Sequence, residues 1–340
     1  PGGLAQTNIL ANALFGAISG SGTAAASAMG SIIGPIEKDE GYDPNFSAAA
    51  NIATAPTGLL IPPSNVMITF SLVSGGTSVA ALFMAGYIPG ALWALACMLV
   101  VYIYAKKAGY RSQTKLTGKE KFNAFIQALP CLLLIIIVIG GIIAGVFTAT
   151  EGSVVAVVYS LLLSIYGYKS MKWKDLPEIF RASAEMTGII IFLIGVSSIM
   201  SWVMAFTNIP TMVSNGLLSI SSNKYVILLM INIILLVVGT FMDMTPATLI
   251  FTPIFLPVCT ALGMNTIHFG IMLIFNLCIG TITPPVGTTL FVGVKVGGVK
   301  IETVFKHLLP YFFAIIVVLM LVTYIPQLSL WLPGLMGYVS

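Results

Sequence analysis

Apolar positions dominate this chain, and the breaks between them follow a pattern. Five runs, 86–105, 122–146, 148–168, 187–207 and 308–332, are nearly free of charge. Each holds about 20 residues or more, enough at 1.5 Å per residue to cross roughly 30 Å of hydrocarbon. The remaining apolar sequence is interrupted by Gly, Pro, Ser and Thr. Stretches 3–37 and 225–258 each turn at a polar tip, Ser19-Gly20-Ser21-Gly22-Thr23 in the first and Gly239 to Pro246 in the second. Their arms of about 14 residues make roughly 21 Å of helix, too short to span a bilayer but long enough to pass its midplane. The pattern predicts two re-entrant helical hairpins. Stretches 45–74 and 267–296 break in their middles, at Pro56 to Asn65 and at Gly280 to Thr289. Adjacent prolines there remove two backbone donors and push the preceding residue out of helical geometry, so each stretch reads as a broken helix. Bare backbone at that depth persists only where it is buried in protein or lines a wet cavity.

Hairpin, break and following span occur twice, 222 residues apart and without a gap. Thr23, Pro35, Gly41, Gly58, Pro62, Pro63, Gly75 and Gly76 become Thr245, Pro257, Gly263, Gly280, Pro284, Pro285, Gly297 and Gly298. Most of the shared residues set backbone shape, so an architecture is repeated. Five crossings separate the hairpins: the first broken helix and the spans 86–105, 122–146, 148–168 and 187–207. An odd number inverts the second copy. The predicted fold is an all-α polytopic membrane protein built from inverted repeats. Half one is 1–105 and half two is 225–332. Residues 106–121 form a loop, and 122–207 form a separate group of spans. Paired Gly/Pro interruptions in two halves of an apolar chain point to a secondary transporter's binding site.

Composition agrees with a membrane chain: 58% hydrophobic, 8% charged, mean hydropathy +1.02. The net charge of +4 does not signify nucleic acid, because the basic residues collect in short loops at 106–121, 169–181 and 295–306. Such loops mark the cytoplasmic side. Hairpin one then enters from the cytoplasm beside Glu37, Lys38, Asp39 and Glu40, hairpin two enters from outside beside Ser221 to Lys224, and the C-terminus lies outside. Residues 169–184 read as a short amphipathic helix on the inner surface, or alternatively as a plain connecting loop. Cys97, Cys131, Cys259 and Cys278 have no paired spacing and read as small core residues. His268 and His307 are too isolated to suggest a metal site.

The chemistry predicted at the convergence is oxygen chemistry. Broken helices present carbonyl ends that suit a cation and amide ends that suit a carboxylate. Ser21, Thr23, Thr57, Thr240, Thr281 and Thr283 add hydroxyls, and Asp243 adds the only acid near a tip. An oxygen donor set with little charge fits a hard monovalent cation. No Lys or Arg lies in the predicted core, so an anionic substrate would rely on helix dipoles, hydroxyls and bound cations. The plainer readings stay open: Ser and Thr bonding their own helices, Gly20, Gly22 and Gly58 easing helix packing, and Asp243 as a hydrated cap.

At these residues the chain resembles a known family. SGSGTAAASAMGSIIGPIEKDEGYDPNFSAAANIATAPTGLLIPPSN and GTFMDMTPATLIFTPIFLPV…CIGTITPPVGTTLFVG look like the large membrane subunit of the tripartite ATP-independent periplasmic (TRAP) transporters, leaning towards the sialic-acid type. The resemblance covers essentially the whole chain. It implies an elevator-type, Na⁺-coupled importer of an organic acid in a bacterial inner membrane, sialic acid being favoured over a C4-dicarboxylate or another sugar acid. It also implies two or more Na⁺ ions, a small four-helix membrane subunit and a periplasmic binding protein. Family cation positions fall on Ser21, Gly22, Thr23, Thr57, Gly58, Gly239, Thr240, Asp243, Gly280, Thr281 and Thr283. Substrate positions fall on Ser21, Thr57, Ser64, Asn65, Thr240, Thr283 and Thr288. The halves 1–105 and 225–332 would move, and 122–207 would be scaffold.

Three spans precede the second hairpin and none precedes the first, which predicts about 100 residues of scaffold upstream of Pro1. The alternatives are a Na⁺-coupled carrier of similar fold that needs no binding protein, a channel, and an intramembrane enzyme using Asp243. The enzyme reading lacks a partner acid, a nucleophile–base pair and a metal cluster.

Overall fold

The computed structural model describes residues 1–110, 118–221 and 223–338, and every regular element in it is helical. Two compact units form, one from Pro1–Gln113 with Met200–Ser340 and the other from Thr114–Ile199. Among the described residues six helices are long and apolar enough to cross a membrane, and a bent pair, Pro44–Leu60 with Asn65–Val73, makes a seventh.

In the first unit, α1 (Gly3–Ser19) and α2 (Gly22–Asp39) form the first hairpin. The first broken helix comes next as α3 (Pro44–Thr54), α4 (Thr57–Leu60) and α5 (Asn65–Val73). Helix α6 (Val79–Ala108) begins earlier than the expected span 86–105 because Ser78 caps it, accepting from the Ala81 amide. In the second unit, α7 (Gly118–Ile143) and α8 (Ala149–Leu162) are joined through a capping box of Thr148 and Glu151. Next comes α9 (Leu176–Phe206). Here the structure departs from the expected surface helix 169–184: residues from Leu176 onward continue into one 31-residue helix. Pro177 and Glu178 form a helix-start signal, and no later proline interrupts α9. The most apolar 18-residue window of this segment has no buried residue.

Back in the first unit, α10 (Ile209–Ile220) occupies sequence with no expected element; it begins after Asn208 with proline in its first turn. Then come α11 (Lys224–Gly239), α12 (Met244–Ala261), α13 (Thr266–Thr281), α14 (Thr288–Gly297), α15 (Ile301–Tyr324) and α16 (Gln327–Leu335). The expected span 308–332 is divided at Ile325, which leaves helical geometry ahead of Pro326.

The 222-residue offset survives in the helix bounds. Gly22–Asp39 maps onto Met244–Ala261, Pro44 onto Thr266 and Val79 onto Ile301. The packing is exchanged as well. Helix α2 packs on α14, while its counterpart α12 packs on α5, the counterpart of α14. Likewise α3 packs on α15 and α13 packs on α6. Reciprocal contacts of this kind are what a two-fold relation produces. Helix α13 is buried from Ile267 to Thr281, and the ring of Trp93 of α6 packs tilted against its Phe275, centroids 4.8 Å apart.

The two hairpin bases sit at opposite ends of α15. Near its start, His307 lies 3.6 Å from Asp43, whose amide donates to the Tyr110 hydroxyl. At its end, Tyr324 donates to the Tyr225 carbonyl at 3.0 Å. His307 and Tyr324 are separated by roughly 26 Å of helix.

Candidate functional site

Each tip is pressed onto the break of its own half by glycines. A Cβ on Gly58 would stand 2.1 Å from the Gly16 Cα, and one on Gly280 would stand 2.4 Å from the Gly239 carbonyl carbon. Neither position has room for a side chain, so backbone meets backbone at both places. The tips also make wider contacts. Gly22 lies against Pro56 and Leu59 of break one and against Thr289 of α14. Asn65 lies against Gly20, and the Val286 amide donates to the Thr240 carbonyl at 3.2 Å. The Cys278 thiol is 3.9 Å from the Pro56 carbonyl, and these residues are 222 apart. A position can touch its own counterpart only beside the axis relating the halves, so that axis passes between the two breaks.

Four helices end here (α1, α4, α11 and α13) and four begin (α2, α5, α12 and α14). Carbonyls and amides that no helix satisfies are therefore concentrated at one place. Ser21 caps α2, accepting from the Ala24 amide at 3.3 Å, and lies 3.0 Å from the Thr23 hydroxyl. Thr57, Thr240, Thr281 and Thr283 donate to carbonyls three or four residues back, at 2.6–2.8 Å. The plainer reading thus accounts for their protons. Their oxygen lone pairs remain available to an ion or a substrate. Ser64 is buried and its hydroxyl has no partner. Thr288 is half-buried in the first turn of α14, and Gly22, Gly58, Gly239 and Gly280 are buried. Asp243 stands exposed at the start of α12 without a capping bond. Its counterpart 222 residues earlier is Ser21.

Sequence reasoning missed several polar groups. Asn12 donates to Asn8 at 2.8 Å and to Asn51 at 2.9 Å, all three buried. In half two Asn276 donates to Asn232, which donates to Thr323. Thr248 and Thr252 of α12 are buried with unpartnered hydroxyls. Glu37, expected beside a charged loop, is instead fully buried. A signal was present: Gly22, Ala25, Ala26, Met29, Ile33 and Glu37 form one helical stripe. His268, expected near an interface, is buried, with its Nε2 2.7 Å from the Val322 carbonyl. Among the described residues, no three His, Cys, Asp or Glu side chains gather to hold a metal. The donors at the tips and breaks are hydroxyls, carbonyls and one carboxylate.

Known proteins carry the same sequence pattern. Residues 1–328 match the family described as the tripartite ATP-independent periplasmic transporter, DctM component. The chain is 54% identical to the uncharacterized protein YgiK of Salmonella typhimurium, over 98% of this chain and 77% of that one. It is 36% identical to the sialic acid TRAP transporter large permease SiaM of Vibrio cholerae, over 99% and 79%. It is 37% identical to the C4-dicarboxylate TRAP transporter large permease DctM of Pseudomonas aeruginosa, over 99% and 78%. Doubled hairpins and breaks in an apolar helical chain, together with these matches, identify it as a multi-pass membrane protein of the DctM family, a large permease of the TRAP transporters and not an enzyme.

Proposed function

We propose that this chain imports an organic acid across a bacterial inner membrane by an elevator movement, driven by Na⁺ and supplied by a periplasmic binding protein. The observation carrying this reading is the convergence of two tips and two breaks, related by a two-fold exchange and furnished with oxygen donors. Na⁺ is a co-transported substrate in this reading: the carbonyl ends, hydroxyls and Asp243 suit a hard monovalent ion, and the amide ends suit the substrate carboxylate. Relatives named for sialic acid and for C4-dicarboxylates match about equally, which supports an organic anion as the substrate class. A small membrane subunit completes the assembly in this reading.

Charge placement supports the orientation. Lys38, Lys106, Lys107, Lys295, Lys300 and Lys306 belong to the end where Asp43 meets His307, whereas Lys224 belongs to the end near Tyr225. The Lys-rich end is cytoplasmic by the positive-inside rule. Hairpin one is then re-entrant from the cytoplasm, hairpin two is re-entrant from the periplasm, and the C-terminus is periplasmic. Each net positive charge moved inward gains about 2.3 kcal/mol per 100 mV. Two or more Na⁺ with one monoanion therefore make uptake electrogenic.

The test is uptake into liposomes holding this subunit with its small partner. Sialic acid and a C4-dicarboxylate are offered with and without a Na⁺ gradient, and with and without the matching binding protein. Dependence on both is expected. Uptake with Na⁺ alone removes the tripartite mechanism, and uptake indifferent to Na⁺ and to membrane potential removes the coupling.

A further inference from the structure

At the base of half one, helices α1, α2, α3 and α14 line an open cavity of about 410 Å³ whose walls mix polar and apolar groups. Asn8, Glu37, Ser47, Asn51, Gly293 and Gly297 are among its walls. Glu37 is fully buried, and neither of its carboxylate oxygens makes a hydrogen bond of normal geometry. Three side chains that interact with it, Ser47, Tyr42 and Tyr311, have buried hydroxyls that also lack such a bond. A carboxylate in that setting is costly unless it is neutralised.

A line of polar side chains leads from the cavity to break one. Asn8 and Asn51 of the cavity wall both accept from Asn12, which also reaches the Thr54 hydroxyl at 3.1 Å. Thr57, at the break, donates to the Thr54 carbonyl at 2.6 Å. Half two builds its line from other positions: Asn276 donates to Asn232 and Asn232 to Thr323, which lines a smaller cavity together with His268. At the positions matching Asn8, Asn12, Glu37, Ser47 and Asn51 it has Met230, Ile234, Cys259, Phe269 and Leu273.

We infer that this cavity is the cytoplasmic outlet for the cation held at break one, and that a proton on Glu37 holds it shut. The inference rests on the cation-coupled, inverted arrangement under Proposed function. With the carboxyl neutral, α2, α3 and α14 stay packed around the cavity. Ionisation places an unpaired charge there, and entering water solvates it. The cavity then wets and widens towards Asn8 and Asn51.

Glu37 lies in the last turn of α2, next to the charged turn and outside the spanning helices. Burial pushes its carboxyl up to about 7, partly offset by Ser47. Tyr42 and Tyr311 of α15 interact with it electrostatically, Lys38 shares its cavity, and the other titratable or charged groups on the neighbouring elements are Asp39, Glu40, Asp43 ahead of α3, Lys295 of α14 and His307 of α15; α1 and α3 themselves carry none.

The test uses the complete transporter in liposomes, with internal pH set between 6 and 8.5 while external pH and Na⁺ are fixed. Wild-type uptake is expected to rise about tenfold across this range, as one titrating group dictates. Glu37→Gln, which mimics the protonated carboxyl, should stay at the low-pH rate throughout. Ser47→Ala, which removes a group favouring the charged form, should keep the rise but move it to higher pH; its profile decides the matter if Glu37→Gln does not fold. A flat wild-type profile overturns the inference, as does a rise that persists in Glu37→Gln. A change confined to the Na⁺ requirement would put Na⁺ on the carboxylate and also overturn it. Uptake that needs no Na⁺ but retains the Glu37-dependent pH profile would sink the coupling reading alone.

Discussion

Where half one places Asn8, Asn12, Asn51 and Glu37, half two places Met230, Ile234, Leu273 and Cys259. Where tip one is capped by Ser21, tip two begins with Asp243. Yet the halves agree in where α2 and α12, α3 and α13, and α6 and α15 begin, in the paired prolines and in the glycine contacts at each tip. Backbone shape at a tip is a shared requirement, because a misplaced hairpin leaves unsatisfied amides in both halves through the exchanged packing. Side-chain polarity is satisfied locally, within one bundle, and is free to diverge.

The strongest way to break this comparison is at the tips. Gly58→Val and Gly280→Val each force a side chain into backbone, and each should cost about 3 kcal/mol or more and abolish uptake. Thermal unfolding of the purified protein and transport assays read both effects. Tolerance in one half alone would show that the tips are not equivalent. Next comes Asn12→Leu, which leaves Asn8 and Asn51 without their shared donor and should cost about 1–3 kcal/mol. The matched change Ile234→Val should cost about 0.5–1.5 kcal/mol. Equal shifts in unfolding temperature would remove the special status of the half-one network. The smallest effect sharpens the functional difference. Asp243→Ser gives tip two the cap of tip one, and the Na⁺ concentration for half-maximal uptake should rise about tenfold, or about 1.4 kcal/mol. An unaltered Na⁺ requirement would exclude that carboxylate from the ion's surroundings.

The repeat was legible because it is written in Gly and Pro, whose backbone demands do not depend on their neighbours. They placed the hairpins and the breaks, and the helices begin where those residues put them. Residues 169–184 misled because their charges resemble a surface helix, although nothing after Pro177 ends the helix that starts there. Glu37 was obscured by Lys38, Asp39 and Glu40, which suggest solvent; only the face of α2 distinguishes it. Asn12 and Asn51 were illegible for a different reason. They lie 39 residues apart, and their pairing depends on how α1 crosses α3, which no local pattern encodes.

The exchanged packing also sets a timetable for synthesis. Helix α2 rests on α14, and 248 residues lie between Asp39 and Thr288. At a synthesis pace of about 5–20 residues per second, the first hairpin waits roughly 12–50 s for that partner. During that interval α2 cannot bury the face it later presents to α14. The nascent first half is therefore the stage at which a membrane insertase or chaperone has the most to shield, and the stage at which a ribosome stalled before α14 would leave the chain most exposed to degradation.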